Sequence, residues 1–192
     1  MPFRYRSAVL VLACATLSSQ AIAEDADWTS AARSAATSLP PKLVTALNDE
    51  IAKSGPEGAI PVCRDLAPKM AKDVVAATGW QLKRVSLKAR NAQRATPDAW
   101  ERAALEDFER RAAAGENPAT LEKAEVVEQD GKRLYRYAKA LPTQAMCLNC
   151  HGALDTLAPE VRARLREHYP DDRATGYSEG QIRGAIVATK PF

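Results

Sequence analysis

Cys147-Leu148-Asn149-Cys150-His151 is the stretch of this sequence best suited to do chemistry. Cys-x-x-Cys-His is the attachment pattern of c-type haem. Two thiols add across the haem vinyl groups as thioethers, and two intervening residues place both sulfurs on one side of a short turn. The adjacent imidazole then reaches the iron as proximal axial ligand. The spacing predicts one covalent haem c, attached at Cys147 and Cys150 and ligated by His151. A thioredoxin-like Cys-x-x-Cys belongs beside a βαβ pattern, whereas this one follows a hairpin pattern late in the chain. A zinc site needs two more ligands, for which Cys63 and His168 are available. A zinc- or disulfide-stabilised domain without haem is therefore an alternative.

The iron needs a group on its other face, or an open sixth site. The chain has two histidines, three methionines and four cysteines. Met146 is next to Cys147, and backbone geometry keeps it from the opposite face. Cys63 and Met70 are seven residues apart in a helical pattern and share a face. His168 follows a short helix and could fold back. Residue types and spacing leave these three open. Cys63 is also the odd cysteine once the haem takes two, and a buried inert thiol is its plainest reading.

The start of the chain reads as an export signal. Arg4 and Arg6 form a basic end, Ala8 to Leu17 form a short apolar run, and Ala21-Ile22-Ala23 is an A-x-A cleavage site. The run is too short to span a bilayer. Residues 1–23 are thus expected to be a signal peptide and residues 24–192 one domain in the periplasm, where haem c is attached. Lipidation at Cys14 is a weaker alternative, because Leu12 is bulky for a lipobox. Cleavage of 23 of the 192 residues leaves 169, enough for one core. Loss of Arg4 and Arg6 lowers the net charge from +3 to +1. That balance argues against nucleic acid as a partner and against an anionic membrane surface. No later segment is apolar enough to be a transmembrane span.

Which elements would position these residues? Asp25 to Ser38 is helical and Ala-rich, Pro40-Pro41 breaks it, and Leu43, Val44, Leu47 and Ile51 resume a helical stripe. Gly55-Pro56-Glu57-Gly58 is a loop. Ala59 to Thr78 is a second amphipathic helix that Pro68 should kink or split. Trp80 to Ala89 alternates as a strand. Thr96-Pro97-Asp98 starts a helix, with Thr96 as cap. Asp130-Gly131 joins two strands, Leu121 to Gln129 and Lys132 to Leu141. Pro159 to His168 is a short helix and Gln181 to Thr189 a last strand. The order predicts an α+β fold, with N-terminal helices and a mostly antiparallel sheet of about four strands.

Several segments recur together with the haem motif. They are Ala59-Ile60-Pro61-Val62-Cys63, Trp80 to Asn91, Trp100-Glu101, Cys147 to Gly152, Tyr169-Pro170-Asp171-Asp172-Arg173-Ala174-Thr175-Gly176-Tyr177 and Gly180 to Ile186. In this order they resemble a family of periplasmic c-type haem domains of unknown function with a PAS-like sensor fold. The resemblance covers roughly residues 40 to 190. It implies a haem held by His151 on one side and by Cys63, from an N-terminal helix, on the other. Ala92 departs from the family pattern, which has Pro after the Arg-Asn pair; a loop should absorb the change.

Arg84 and Arg90 lie on or beside the first predicted strand. Either guanidinium would suit a haem propionate; the competing reading is an exposed cation on a sheet face. Thiolate ligation predicts a low potential and a ligand that can leave on reduction. The leading expectation is a redox or gas sensor, with a diatomic gas as ligand and a redox partner or membrane signalling protein to receive the output. A monohaem electron carrier is the alternative. An enzyme such as a peroxidase would need an acid-base residue on an open distal face, and only His168 is on offer, so the chain is not expected to be an enzyme.

Overall fold

The computed structural model describes residues 17–192. Arg4, Arg6, Cys14 and most of the apolar run lie outside the described residues. The expected cleavage site, Ala21–Ala23, falls on the backbone of the first helix, α1 (Leu17–Gly58).

The expected break at Pro40-Pro41 does not occur: α1 continues through both prolines. Proline's fixed φ is itself helical, and its cost lies in a lost N–H and a crowded preceding turn. Ala32, Ala35, Ala36 and Leu39 bury one face of α1, and that packing carries the helix across the pair. The non-helical residue is Gly55, at φ 71° and ψ 173°, within the Gly-Pro-Glu-Gly stretch read as a loop. Pro68 does split the next helix. In an α-helix its missing N–H would have served the carbonyl of Arg64. Instead Val62–Leu66 widens into a π-helical turn, closed by Ala67 N–H donating to Val62 O, and α2 (Ala67–Thr78) follows. Gly79 ends α2 in the left-handed region at φ 71°, where glycine carries no steric penalty.

Four strands, β1 (Gln81–Val85), β2 (Glu122–Gln129), β3 (Lys132–Pro142) and β4 (Ile182–Pro191), form one antiparallel sheet in the order β1-β4-β3-β2. The α+β architecture is thus as expected. Asp130 and Gly131 both have positive φ, 51° and 71°, as a two-residue hairpin turn requires. β1 is shorter than its alternation predicts. After Val85 the chain leaves the sheet, and Ser86 Oγ bonds Lys88 O at 2.9 Å.

Two helices follow, α3 (Ala92–Ala95) and α4 (Ala99–Ala113). Ala92 is the first residue of α3, a position open to alanine and proline alike. The cap of α4 is Asp98, not Thr96. Asp98 accepts from Glu101 N while Glu101 accepts from Asp98 N, and this reciprocal pair outcompetes a single hydroxyl. Thr96, at the end of α3, instead donates its hydroxyl to Ala92 O. Two short helices, α5 (Leu148–His151) and α6 (Pro159–His168), lie between β3 and β4.

Helices cover both faces of the sheet. Ala185 and Val187 of β4 pack towards α4, whereas Ile186 and Ala188 pack towards α1 and α2. Residues Ala185 to Ala188 of this central strand therefore read as an unbroken apolar run. Arg33 of α1 bonds Glu122 of β2, with Nε 3.0 Å from Oε2. Tyr137 of β3 donates to the same carboxylate at 2.7 Å, so one carboxylate ties the helix to two strands.

The pairing of β3 with β4 contains one irregularity. Leu141 opposes Gly184 and Pro142 opposes Ile182, so Arg183 is left without a partner on β3. A bulge of this kind re-aims a side chain. Gly184, at φ 156°, sits against the backbone of β1, and a Cβ there would collide with Val85 O. Gly184→Ala should therefore lower the denaturant midpoint, by about 2 kcal/mol of stability or more. A second expectation concerns acid. The Arg33 guanidinium holds the Glu122 carboxyl at about 2, below its ordinary 4.5. Its stabilisation is complete above about pH 4.5 and lost as pH falls towards 2. Because the pair is partly exposed the effect is small; acid unfolding followed by circular dichroism should be measurably less steep in Glu122→Gln.

Candidate functional site

The Cys-x-x-Cys-His residues sit on a tight local scaffold. A 3-10 turn, Ala145–Cys147, runs directly into α5, which ends at Gly152. A Cβ on Gly152 would lie 2.7 Å from Leu148 O, so the chain can turn here only on a glycine. The segment from Tyr169 to Tyr177 then straps this turn down. Tyr177 N donates to His151 O at 2.9 Å, and Gly176 N donates to Gly152 O at 2.8 Å.

Arg90 fastens the strap. Its Nε lies 2.9 Å from Asp172 Oδ2, and its Nη2 reaches both Cys150 O and Ala174 O. Both side chains of the Arg90–Asp172 pair are only 11 % exposed. Asp172 Oδ1 in turn accepts from Ala174 N at 2.8 Å. One buried ion pair thereby joins the end of β1's following loop, the Cys-x-x-Cys-His turn and the strap.

His151 is set by the same strap. Its Nδ1 lies 2.6 Å from Ala174 O. A carbonyl only accepts, so this contact assigns the proton to Nδ1 and leaves Nε2 with a free lone pair. Arg183 Nε also approaches Nδ1, at 3.2 Å; against a protonated Nδ1 this is a cation beside the ring. Burial, then the Arg183 and Arg90 charges, hold the His151 pKa well below 6.5, opposed by the Ala174 bond. The ring is neutral, oriented and in the tautomer that a metal ligand needs.

Above the α1 and α2 side of the sheet lies a cavity of about 490 Å³, within the range of roughly 300–1,000 Å³ typical of small-molecule sites. Its lining includes Cys63, Arg84, Arg90, His151, Tyr169 and Arg183. Cys63 sits in the π turn and its side chain is exposed, towards this cavity. The protein around it raises the thiol pKa by desolvation, with Arg84, Arg90 and Arg183 pulling the other way. Arg84 projects from β1 with no hydrogen-bond or ion-pair partner among the described residues. Desolvation first, and Arg90 among the charges, lowers its pKa. Desolvation and then Arg84 bring Arg183 down to about 9.

The structure gathers four of the six expected site residues, Cys63, Arg84, Arg90 and His151, around one cavity. Cys147 and Cys150 flank it without lining it. Cys150 packs against Ile60, Leu157, Val161, Leu165 and Tyr169, and burial raises its thiol pKa to about 11. Of the three residues considered for the second axial position, Cys63 alone lines the cavity. Met70 packs against the core with Trp80 and Val74. His168 Nδ1 lies 2.9 Å from Arg64 Nη1, outside the lining. Cys63, Cys147 and Cys150 are free thiols. Among the described residues no three His, Cys, Asp or Glu side chains converge as for a metal ion, which leaves the zinc alternative without support here. Arg183 was not among the expected site residues. Its signal was a lone charge inside the apolar run Ile182 to Val187.

Residues 14–191 match the family described as Tll0287-like, and the chain belongs to that family. A solved structure, "Crystal structure of the cyanobacterial heme-protein Tll0287", is similar at 32% identity with a TM-score of 0.54, over 68% of this chain and 71% of that one. No curated protein matches. This relationship supports a haem-binding family.

The strap gives a prediction. Breaking a buried ion pair leaves an uncompensated charge, so Arg90→Ala should cost about 3–5 kcal/mol in urea unfolding. Arg90→Ala with Asp172→Ala should cost less than the two single changes added together, as a double-mutant cycle would measure.

Proposed function

We propose that this member of the Tll0287-like family is a periplasmic c-type haem protein with a PAS-like fold, and that it senses redox state or a diatomic gas. One observation carries the reading. Cys63 and His151, far apart in sequence, line a single cavity next to the two attachment cysteines. The donor set fits the group: a neutral imidazole with Nε2 free, a thiol, and cationic side chains for two carboxylates. The four-stranded antiparallel sheet with helices on its faces is consistent with a PAS-like fold.

In this reading haem c is attached through Cys147 and Cys150 and ligated by His151 and Cys63. Bound there, it supplies a one-electron couple and, when the sixth ligand leaves, a position for a small gas. Arg84 is the better placed of the two arginines named for a propionate, because Arg90 already holds Asp172 and two carbonyls. Ala174 keeps His151 aimed by holding its Nδ1 proton. Cys63 sits on a π turn, a helical irregularity frequent at functional sites. The neighbouring Arg64 touches His168 at the end of α6, so a displaced turn would be felt there. The role is that of a binding protein, not an enzyme. The export signal read at residues 1–23 supports a periplasmic location. No helix of the described residues is long and apolar enough to cross a membrane, and a separate partner would receive the output.

The test is the ultraviolet–visible spectrum, oxidised and reduced, after export alongside a cytochrome c maturation system. One iron per chain, haem retained on denaturation and a low-spin thiolate-type ferric spectrum are expected. Cys63→Ser should change the ferric spectrum; an unchanged one eliminates Cys63 as a ligand. A change of ligation on reduction separates sensing from plain electron transfer. A colourless protein removes the haem reading.

A further inference from the structure

The cavity carries more positive charge than the chain neutralises. Arg90 is paired with Asp172. Arg84 is exposed and lines the same space without an ion-pair partner among the described residues, so the cost of burial falls on Arg183. Arg183 is only 3 % exposed, and its Nη2 is a buried donor with no acceptor. A buried donor left unmade is costly, as is an uncompensated buried cation. Such groups persist where a ligand completes them.

Geometry brings Arg84 and Arg183 to one wall. Arg84 on β1 and Ser86, just past the end of that strand, are two residues apart and both line the cavity. Arg183 is the bulged residue of β4, held by Nη1 donating to Ser86 Oγ at 2.9 Å and to Lys88 O at 3.3 Å. Its Nε faces the His151 ring, which leaves Nη2 as the free end. Regular alternation would place Arg183 and Ile186 on opposite faces; with the bulge at Arg183, both line the cavity.

We infer that Arg84 and Arg183 form a carboxylate clamp, with the two haem propionates as its occupants and Arg90 excluded as a structural residue. This rests on the haem reading above. Arg84 and Arg183 offer one guanidinium to each of two carboxylates. Arg183 would then be a binding residue that also lies beside the His151 ring. Ser86 positions it.

The experiment uses the full mature chain with Cys147→Ala and Cys150→Ala, so that binding is reversible. Ferric haemin and its dimethyl ester are titrated separately, and the ratio of their Kd values is read. The ester keeps the ring and the iron but lacks both charges. Haemin should bind at least about tenfold more tightly than the ester, since the ester loses the charge-assisted bonds to both carboxylates. Arg183→Gln and Arg84→Gln should each cut that ratio severalfold while leaving the ester's Kd nearly unchanged. Arg84 has no bond to lose, so Arg84→Gln carries the test if Arg183→Gln does not fold. A ratio near one, or one that both variants leave unchanged, overturns the clamp while haem binding stands. Binding of neither compound overturns the clamp, while the haem reading itself stands or falls on the spectrum of the matured protein with both cysteines present.

Discussion

An imidazole that is to bind a metal must present one particular nitrogen, unprotonated, in one direction. Here a single hydrogen bond, His151 Nδ1–H to Ala174 O, supplies that condition. Ala174 belongs to a strap with little regular structure of its own, so its position has to come from elsewhere. It comes from the buried Arg90–Asp172 pair and from the backbone bonds of Gly176 and Tyr177 to the turn they cover. The sheet, by contrast, does not touch the Cys-x-x-Cys-His turn through ladder pairing. The extended loop after β1 and the strap before β4 reach across to it, and the sheet serves as the frame from which both depart.

Much of the frame was legible because local chemistry and tertiary packing agreed. Asp130-Gly131 demands positive φ at both positions, and only a hairpin turn uses it. Pro159 and the helical stripe after it bound α6 without ambiguity. The failures fall where packing overrides a local rule. Pro40-Pro41 reads as a stop, yet a run of buried small residues before it keeps α1 going. Thr96 reads as a cap, but Glu101 rewards Asp98 instead, because both partners of a capping box are satisfied together. β4 does not alternate, since both of its faces are covered.

The site divides along the same line. Cys147, Cys150 and His151 are contiguous, and their spacing alone declares a chemistry. Cys63 could be singled out as an odd cysteine, but only the family resemblance implied it over Met70 and His168, and its place in the cavity lining leaves no trace in the spacing. Arg183 could not be placed at all. Its orientation depends on a bulge, the bulge on the close approach of Gly184 to β1, and neither leaves a periodic trace. A charged residue in the middle of an apolar strand was the only sign, and it says that something unusual happens without saying where the side chain goes.

The π turn at Val62–Leu66 holds one more residue than an α-helical turn would. Each residue of an α-helix turns the chain by about 100°. Deleting a single residue from this turn would let the helix close in ordinary register, with α2 still seated on the sheet. Everything upstream would then rotate by about that angle, and Cys63 would face away from the cavity. The irregularity is therefore a length constraint on the chain. Between Ala59 and Ala67, the number of residues matters as much as their kind, and relatives that keep a cysteine here but lose one position should have lost its aim.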